Sequence, residues 1–341
     1  MSLPAQAHSP SPERIFEALN AYQRTASLKA AIELDLFTVI GEGLNSISEL
    51  STRCRASERG IRALCDYLVV LGFLSKDRDR YALNAESAKF LDRRSPACIA
   101  SSVRFLAMPA MTGAFSDFTS VVRSGTPTLS GGAGTTGPED PIWVEFAVAM
   151  APMQAPLADL LAKIVGAADG EKWKVLDVAA GHGAFGIEIA KRNPSAEIFA
   201  QDWPRVLEVA RANASEAGVT RRFHELPGSA FEIDFGGDYD IVLLTNFLQL
   251  FDRSAIQTVL RRVHAALKPG GRAVTLGFIT NEDRVTPPMT AAFAIIMLGT
   301  TTGGDAYSFQ EYAAMFVRAG FRINEHVPLP AGPQSVIISQ K

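Results

Sequence analysis

The chain has 341 residues, 47% of them hydrophobic and 20% charged, with a formal net charge of −3. That length fits two domains of ordinary size, and the near-neutral charge gives no bulk attraction to polyanions. No run of about 18 apolar residues suggests a bilayer span, and residues 1–13 lack a basic stretch followed by an apolar one, so a cytoplasmic protein without a membrane segment is expected.

From Ile15 to Ile40 apolar residues recur at helical spacing (Ile15, Phe16, Leu19, Tyr22, then Leu28, Ala31, Ile32, Leu36, Phe37), which predicts two amphipathic helices. Ser46 or Ser48 is placed to cap a short helix, and Ser57 opens a second that ends near Leu71 and Gly72. Phe73-Leu74, the charged residues 76–80 and Tyr81-Ala82-Leu83 then read as strand, turn, strand. Together they predict a winged-helix domain over residues 1–100. Its second helix carries Ile61, Leu64, Leu68, Val69 and Leu71 but only Arg59 and Arg62 as cations. That balance argues against a nucleic-acid partner and for a homodimer through this domain. Cys54, Cys65 and Cys98 have no metal-type spacing and read as packing thiols, so no metal site is expected.

Residues 101–165 are expected to form a helical connector. Its segment 124–141 is almost all turn formers and reads as a loop. Phe105, Met108, Met111, Phe115 and Phe118 precede that loop, and Trp143, Phe146, Met150 and Met153 follow it at helical spacing. The stripe is either plain core or a wall of an apolar substrate pocket, because ligand sites favour domain junctions.

From Trp173 onward apolar strands alternate with helices: strand 175–178 and helix 185–191, strand 198–201 and helix 204–217, strand 241–245 and helix 254–267, strand 273–277, and a last strand 335–339. The alternation predicts a doubly wound, Rossmann-like parallel sheet over residues 166–341. Its first strand runs into Gly181, Gly183 and Gly186, spelling GxGxxG on a strand-to-helix turn. Asp202 ends the next strand, where a carboxylate accepts ribose hydroxyls. Adenosine is implied, whether of a dinucleotide or of S-adenosylmethionine. Asp177, just ahead of the glycines, would repel a pyrophosphate but suits the ammonium of a methionine moiety. The cofactor region also follows a long, mostly helical stretch, and the strand at 273–277 is preceded by Ala266-Leu267-Lys268-Pro269-Gly270-Gly271-Arg272.

On these residues the chain resembles, from the Ile15 helices to Lys341, the plant-type and bacterial S-adenosylmethionine-dependent O-methyltransferases that include hydroxyindole and polyketide O-methyltransferases. The resemblance implies that Asp177, Gly181 and Gly183 hold the methionine end and Asp202 the ribose, with Trp203 and Phe231 beside the adenine and Thr245 and Asn246 near the sulfonium. The family usually has Gly-Asp before this aromatic, the Asp touching the adenine amine; here the run is Gly228-Ser229-Ala230-Phe231, which implies weaker adenine binding. His182, between two glycines, reads as a loop residue facing solvent or cofactor.

The segment after residue 245 carries, in the family, a histidine that takes the proton from the substrate hydroxyl. Here it is Asn246-Phe247-Leu248-Gln249-Leu250-Phe251-Asp252, with Gln249 at the histidine position. A carboxamide has no proton-accepting role at any useful pH, so Gln249 is expected to orient the substrate only. The family's helper carboxylate is also replaced, by Gly277. His8, His224, His264 and His326 read as tail or structural residues. Residues 286–289 lead into Phe293 and Met297, which resemble the family's substrate-covering helix. With Trp143, Phe146, Met150 and Met153 they suggest a flat, aromatic acceptor. The expectation is a methyltransferase acting by positioning, or alternatively a cofactor-binding homologue with changed chemistry and a ligand-binding or regulatory role.

Overall fold

The computed structural model describes residues 10–128, 134–135, 140–330 and 332–341. His8 lies outside them, as do residues 129–133 and 136–139 of the expected loop. The chain divides into two compact units, Met1–Val103 and Arg104–Lys341.

In the first unit the expected pair of N-terminal helices is three: Glu13–Leu19, Ala21–Glu33 and Leu36–Gly41, broken at Asn20 and at Asp35, whose φ is 57°. The helix Ile47–Cys54 starts at Ser46 rather than Ser48. Ser46 accepts the Glu49 N–H while Glu49 accepts the Ser46 N–H, a reciprocal cap that satisfies two orphan donors. Helix Glu58–Val70 follows, then the antiparallel hairpin β1 (Leu74–Asp77) and β2 (Arg80–Leu83). The apolar excess of Glu58–Val70 goes into this unit's own core: Ile61, Cys65 and Leu68 are buried with Leu36, Phe37, Leu50 and Tyr81, and Leu64 and Val69 pack against them. It is therefore not what faces a partner. The exposed apolar face lies earlier, on Ile15, Phe16, Leu19 and Tyr22, each more than half exposed.

The second unit is built on a seven-stranded sheet in the order β5-β4-β3-β6-β7-β9-β8. The strands are β3 (Lys174–Val178), β4 (Glu197–Asp202), β5 (Phe223–Pro227), β6 (Tyr239–Thr245), β7 (Leu267–Gly277), β8 (Ile323–Pro328) and β9 (Ser335–Gln340). β3 to β7 are parallel, but β9 enters antiparallel between β7 and β8. The wholly parallel sheet expected from alternation is thus corrected to a mixed one. β8 and β9 are joined by a short turn instead of a crossover helix, so the second must reverse direction. Helices Ala184–Arg192, Pro204–Glu216 and Arg253–Ala266 connect the parallel strands, and β3 is buried over Val175–Val178 as an inner strand should be.

The helix Ile142–Ile164 corrects the expectation of no span-length apolar run. By length and composition alone it could cross a membrane. Here it packs along Ala184–Arg192 and Pro204–Glu216 and buries Ala158, Leu161 and Ala162 in the sheet's core, the behaviour of a core helix.

Candidate functional site

The carboxyl ends of β3, β4, β6 and β7 lie side by side, which is where open α/β sheets bind ligands. Strand β3 is followed by a turn of left-handed residues, Ala179 (φ 53°), Gly181 (φ 57°) and Gly183 (φ 74°). The glycines serve different ends. A Cβ at Gly181 would meet nothing within 4 Å, so the space beside it is open. One at Gly186 would stand 2.6 Å from Ile198 Cγ2, so that glycine lets the helix close on β4.

Asp202 ends β4 and clamps the turn. One carboxylate oxygen accepts the Gly181 N–H at 2.8 Å and the other the Trp203 N–H at 2.7 Å. Burial nevertheless pushes its carboxyl up to about 6. Asp177 is fully buried in β3. Its Oδ2 accepts the Gly186 N–H at 3.1 Å, and its Oδ1 has no hydrogen-bond partner among the described residues. Burial pushes this carboxyl up to about 7, with the neighbouring Asp202 adding to the shift.

Gln201, which the sequence reading missed, ties the turns after β3 and β5. Its Oε1 accepts the Ala179 N–H at 3.1 Å and its Nε2 donates to the Gly228 carbonyl at 2.6 Å, while the Gly228 N–H reaches the Asp202 carbonyl at 3.0 Å. An uncharged polar residue inside an otherwise apolar strand was the available signal. Beyond Gly228, Ser229 accepts the Phe231 N–H, and Ala230 is buried. Phe231 joins Phe247 and Phe251 in a ring cluster, 5.0 Å from the latter.

His182 is corrected: it is buried, not solvated. Its Nδ1 accepts the Ala184 N–H, its carbonyl accepts from Asn213, and burial lowers its imidazole to about 4. Among the other histidines, His224 pairs with Glu197 at 2.7 Å and His264 packs edge-on against Phe321.

After β6, Thr245 is buried, and Asn246 takes a left-handed φ of 55° with its side-chain oxygen accepting from Gln334. Gln334, close before β9, is a second residue missed in the sequence. Gln249 sits on the short 3₁₀ turn Leu248–Leu250 and is only 4% exposed. Its Oε1 accepts the Phe278 N–H at 3.1 Å, and its carbonyl accepts the Asp305 N–H at 3.0 Å.

Of the expected pocket residues, Trp143, Phe146 and Met150 cluster with Phe105; Phe146 meets Phe105 at 5.1 Å and Trp143 at 5.9 Å, edge to face. Met153, on the same helix, is 40% exposed. Phe293, on the helix Pro288–Thr300, stacks on Phe278 at 4.0 Å with the rings 7° from parallel, and Met297 is buried. The last residue of that helix is held by the expected loop, where Thr135 donates its N–H and hydroxyl to the Thr300 carbonyl. No cluster of metal-ligating side chains occurs among the described residues.

The O-methyltransferase domain family matches residues 161–322, and the O-methyltransferase dimerisation domain family matches residues 16–93. A solved structure of a candidate O-methyltransferase from Nostoc punctiforme is 47% identical and superposes with a TM-score of 0.94, covering 98% of this chain and 100% of that one. The mitomycin biosynthesis 6-O-methyltransferase of Streptomyces lavendulae is 28% identical, over 97% of this chain and 95% of its own. Human N-acetylserotonin methyltransferase, solved in complex with S-adenosylmethionine, shares the fold with a TM-score of 0.84 at 20% identity, covering 99% of each chain.

Proposed function

The chain belongs to the S-adenosylmethionine-dependent O-methyltransferase family, and from that premise we propose that it methylates a small aromatic acceptor by positioning it, without a histidine base. The observation that carries this reading is Gln249, held by the Phe278 N–H at the place where the family has its base. The titratable groups considered in its place each already make a hydrogen bond or an ion pair. Asp252 caps the next helix by accepting the Ala255 N–H, Asp305 pairs with Arg284, the Tyr307 hydroxyl donates to the Phe251 carbonyl, and His182 is buried and weakly basic.

The carboxyl edge of the sheet fits S-adenosylmethionine. Open space adjoins Gly181, and Asp177 keeps one buried oxygen unpartnered. In this reading Asp177, Gly181 and Gly183 hold the methionine portion and Asp202 the ribose. Trp203, Ser229, Ala230 and Phe231 flank the adenine, and Thr245 and Asn246 border the sulfonium. When bound, that sulfonium supplies a methyl group already activated for transfer. A positioned base is worth roughly 10²–10⁴-fold, whereas in-line placement of two reactants supplies about 7–11 kcal/mol, so orientation by the chain suffices. The rings of Trp143, Phe146 and Phe293, with Met150 and Met297, support a flat apolar acceptor.

The exposed Ile15, Phe16, Leu19 and Tyr22, in or beside the matched dimerisation domain, support a homodimer; Leu19→Arg is expected to elute as a monomer in size-exclusion chromatography with light scattering. The loss of both the histidine and its helper carboxylate also favours a second reading, a cofactor-binding homologue with changed chemistry. Incubation with labelled S-adenosylmethionine and a panel of phenols separates the two. Transfer to any acceptor supports the first, and tight binding with no transfer favours the second.

A further inference from the structure

Gln249 and Gly277 are the two positions where the acceptor site departs from the family, and they touch. A Cβ on Gly277 would stand 2.9 Å from Gln249 Oε1, closer than carbon and oxygen pack. The absence of a side chain at 277 is what lets the carboxamide reach the Phe278 N–H. A backbone N–H only donates, so the bond fixes the carboxamide with its oxygen inward. The one side-chain hydrogen bond of Gln249 to a described residue is made by Oε1, so the Nε2 amide is left without a partner, in a residue only 4% exposed. What Gln249 offers a ligand is therefore a pair of N–H donors and no acceptor.

We propose that Gln249 and Gly277 form a matched pair that turns the family's base position into an oxyanion donor, so that the acceptor is an oxygen already ionised on arrival: an acidic phenol, an enol or a carboxylate. The assignment rests on the methyl-transfer reading above. In the step, a lone pair of the anionic oxygen forms the new O–CH₃ bond while the S–CH₃ bond breaks and leaves its electron pair on sulfur. The acceptor's negative and the sulfonium's positive charge are both extinguished, and no proton is released. A neutral hydroxyl would need somewhere to place its proton. The charged groups on the surrounding elements are engaged: Asp252 at its helix cap, Asp305 with Arg284, and Glu311 with both Arg253 and Arg284.

The test uses the full-length protein, labelled S-adenosylmethionine and a series of substituted phenols and benzoates of graded acidity, with kcat/KM measured against pH. The expected profile rises to a plateau at each acceptor's own pKa. Gln249→Glu retains an oxygen for the Phe278 N–H but sets a carboxylate where the donors were. It is expected to lower the plateau roughly 10–10²-fold, the range for loss of a hydrogen bond to a charged group, through weaker binding of the anionic acceptor. Should that variant fail to fold, Gln249→Leu makes the same comparison. With S-adenosylmethionine saturating at every pH, an inflection shared by all acceptors, or a variant plateau equal to the native one, overturns the oxyanion assignment while leaving methyl transfer standing. Calorimetric binding of S-adenosylmethionine with no transfer to any member of the series overturns the methyl-transfer reading itself.

Discussion

The two ends of the site are built in different ways. At the cofactor end, Asp202 accepts the N–H groups of Gly181 and Trp203, and Gln201 laces the turns after β3 and β5 together. At the acceptor end one carboxamide, Gln249, hangs on one backbone N–H, that of Phe278. The first end is a web of several bonds, two of them charge-assisted, and the second a single contact whose fit depends on an absent side chain at Gly277. Cofactor binding thus rests on many bonds, while the proposed acceptor chemistry rests on two residues that touch.

The comparison breaks most sharply at Asp202. Asp202→Ala leaves two N–H groups without their acceptor and removes the ribose partner. Bonds to a charged group contribute about 1.5–3 kcal/mol each, so affinity for S-adenosylmethionine should fall roughly 10²–10⁴-fold in calorimetry. Unchanged affinity, or equal affinity of the native protein for NAD, would remove the cofactor assignment.

At the acceptor end, Gly277→Ala should cost about 1–3 kcal/mol, the usual range for overpacking, read as a lowered midpoint of thermal unfolding. In a Gln249→Ala background the same change should cost little, because the opposing oxygen is gone. Additive costs would mean that the two residues are not coupled.

The two buried carboxyls sharpen the comparison through pH. Folding raises Asp177 from 3.8 to about 7 and Asp202 from 3.8 to about 6, mainly by burial. Raised carboxyls hold protons that the unfolded chain gives up. Their contribution to apo stability is therefore present below about pH 4 and is lost as pH rises through 6 and 7. Binding of a cationic methionine end needs the opposite, ionised form. Calorimetry should show affinity weakening up to about tenfold per unit as pH falls below 7, with Asp177→Asn flattening the upper part of that profile.

The cofactor end was legible in the sequence because its determinants are local. A strand, a run of glycines and an acidic residue closing the next strand are all read along the chain, and Asp202 meets Gly181 because parallel neighbours β3 and β4 end together. Gln201 was passed over since nothing in a linear reading says that its amide spans to Gly228, 27 residues on. Reversal of β9 was hidden for a similar reason: residues 335–339 form an ordinary apolar run, and direction depends on the short connection from β8. The substitutions at Gln249 and Gly277 were each visible, but as two separate losses. Their contact needs β7 laid beside β6, and only then do the losses become one exchange.

The smallest effect lies in two left-handed residues, one on each side of the divide. Ala179 has φ 53° and Asn246 φ 55°. A left-handed alanine costs about 1–2 kcal/mol, and glycine would relieve that while losing about 0.5–1 kcal/mol through the freer unfolded chain. Ala179→Gly should therefore raise apo stability by no more than about 1.5 kcal/mol, with the N–H bond to Gln201 retained. Asparagine tolerates the left-handed region far better than alanine, and its side chain here accepts from Gln334. Asn246→Gly should accordingly give no gain and a small loss. Thermal unfolding of the two variants side by side decides it: equal gains would mean that the Asn246–Gln334 bond adds nothing, and that the acceptor end is looser than its geometry implies.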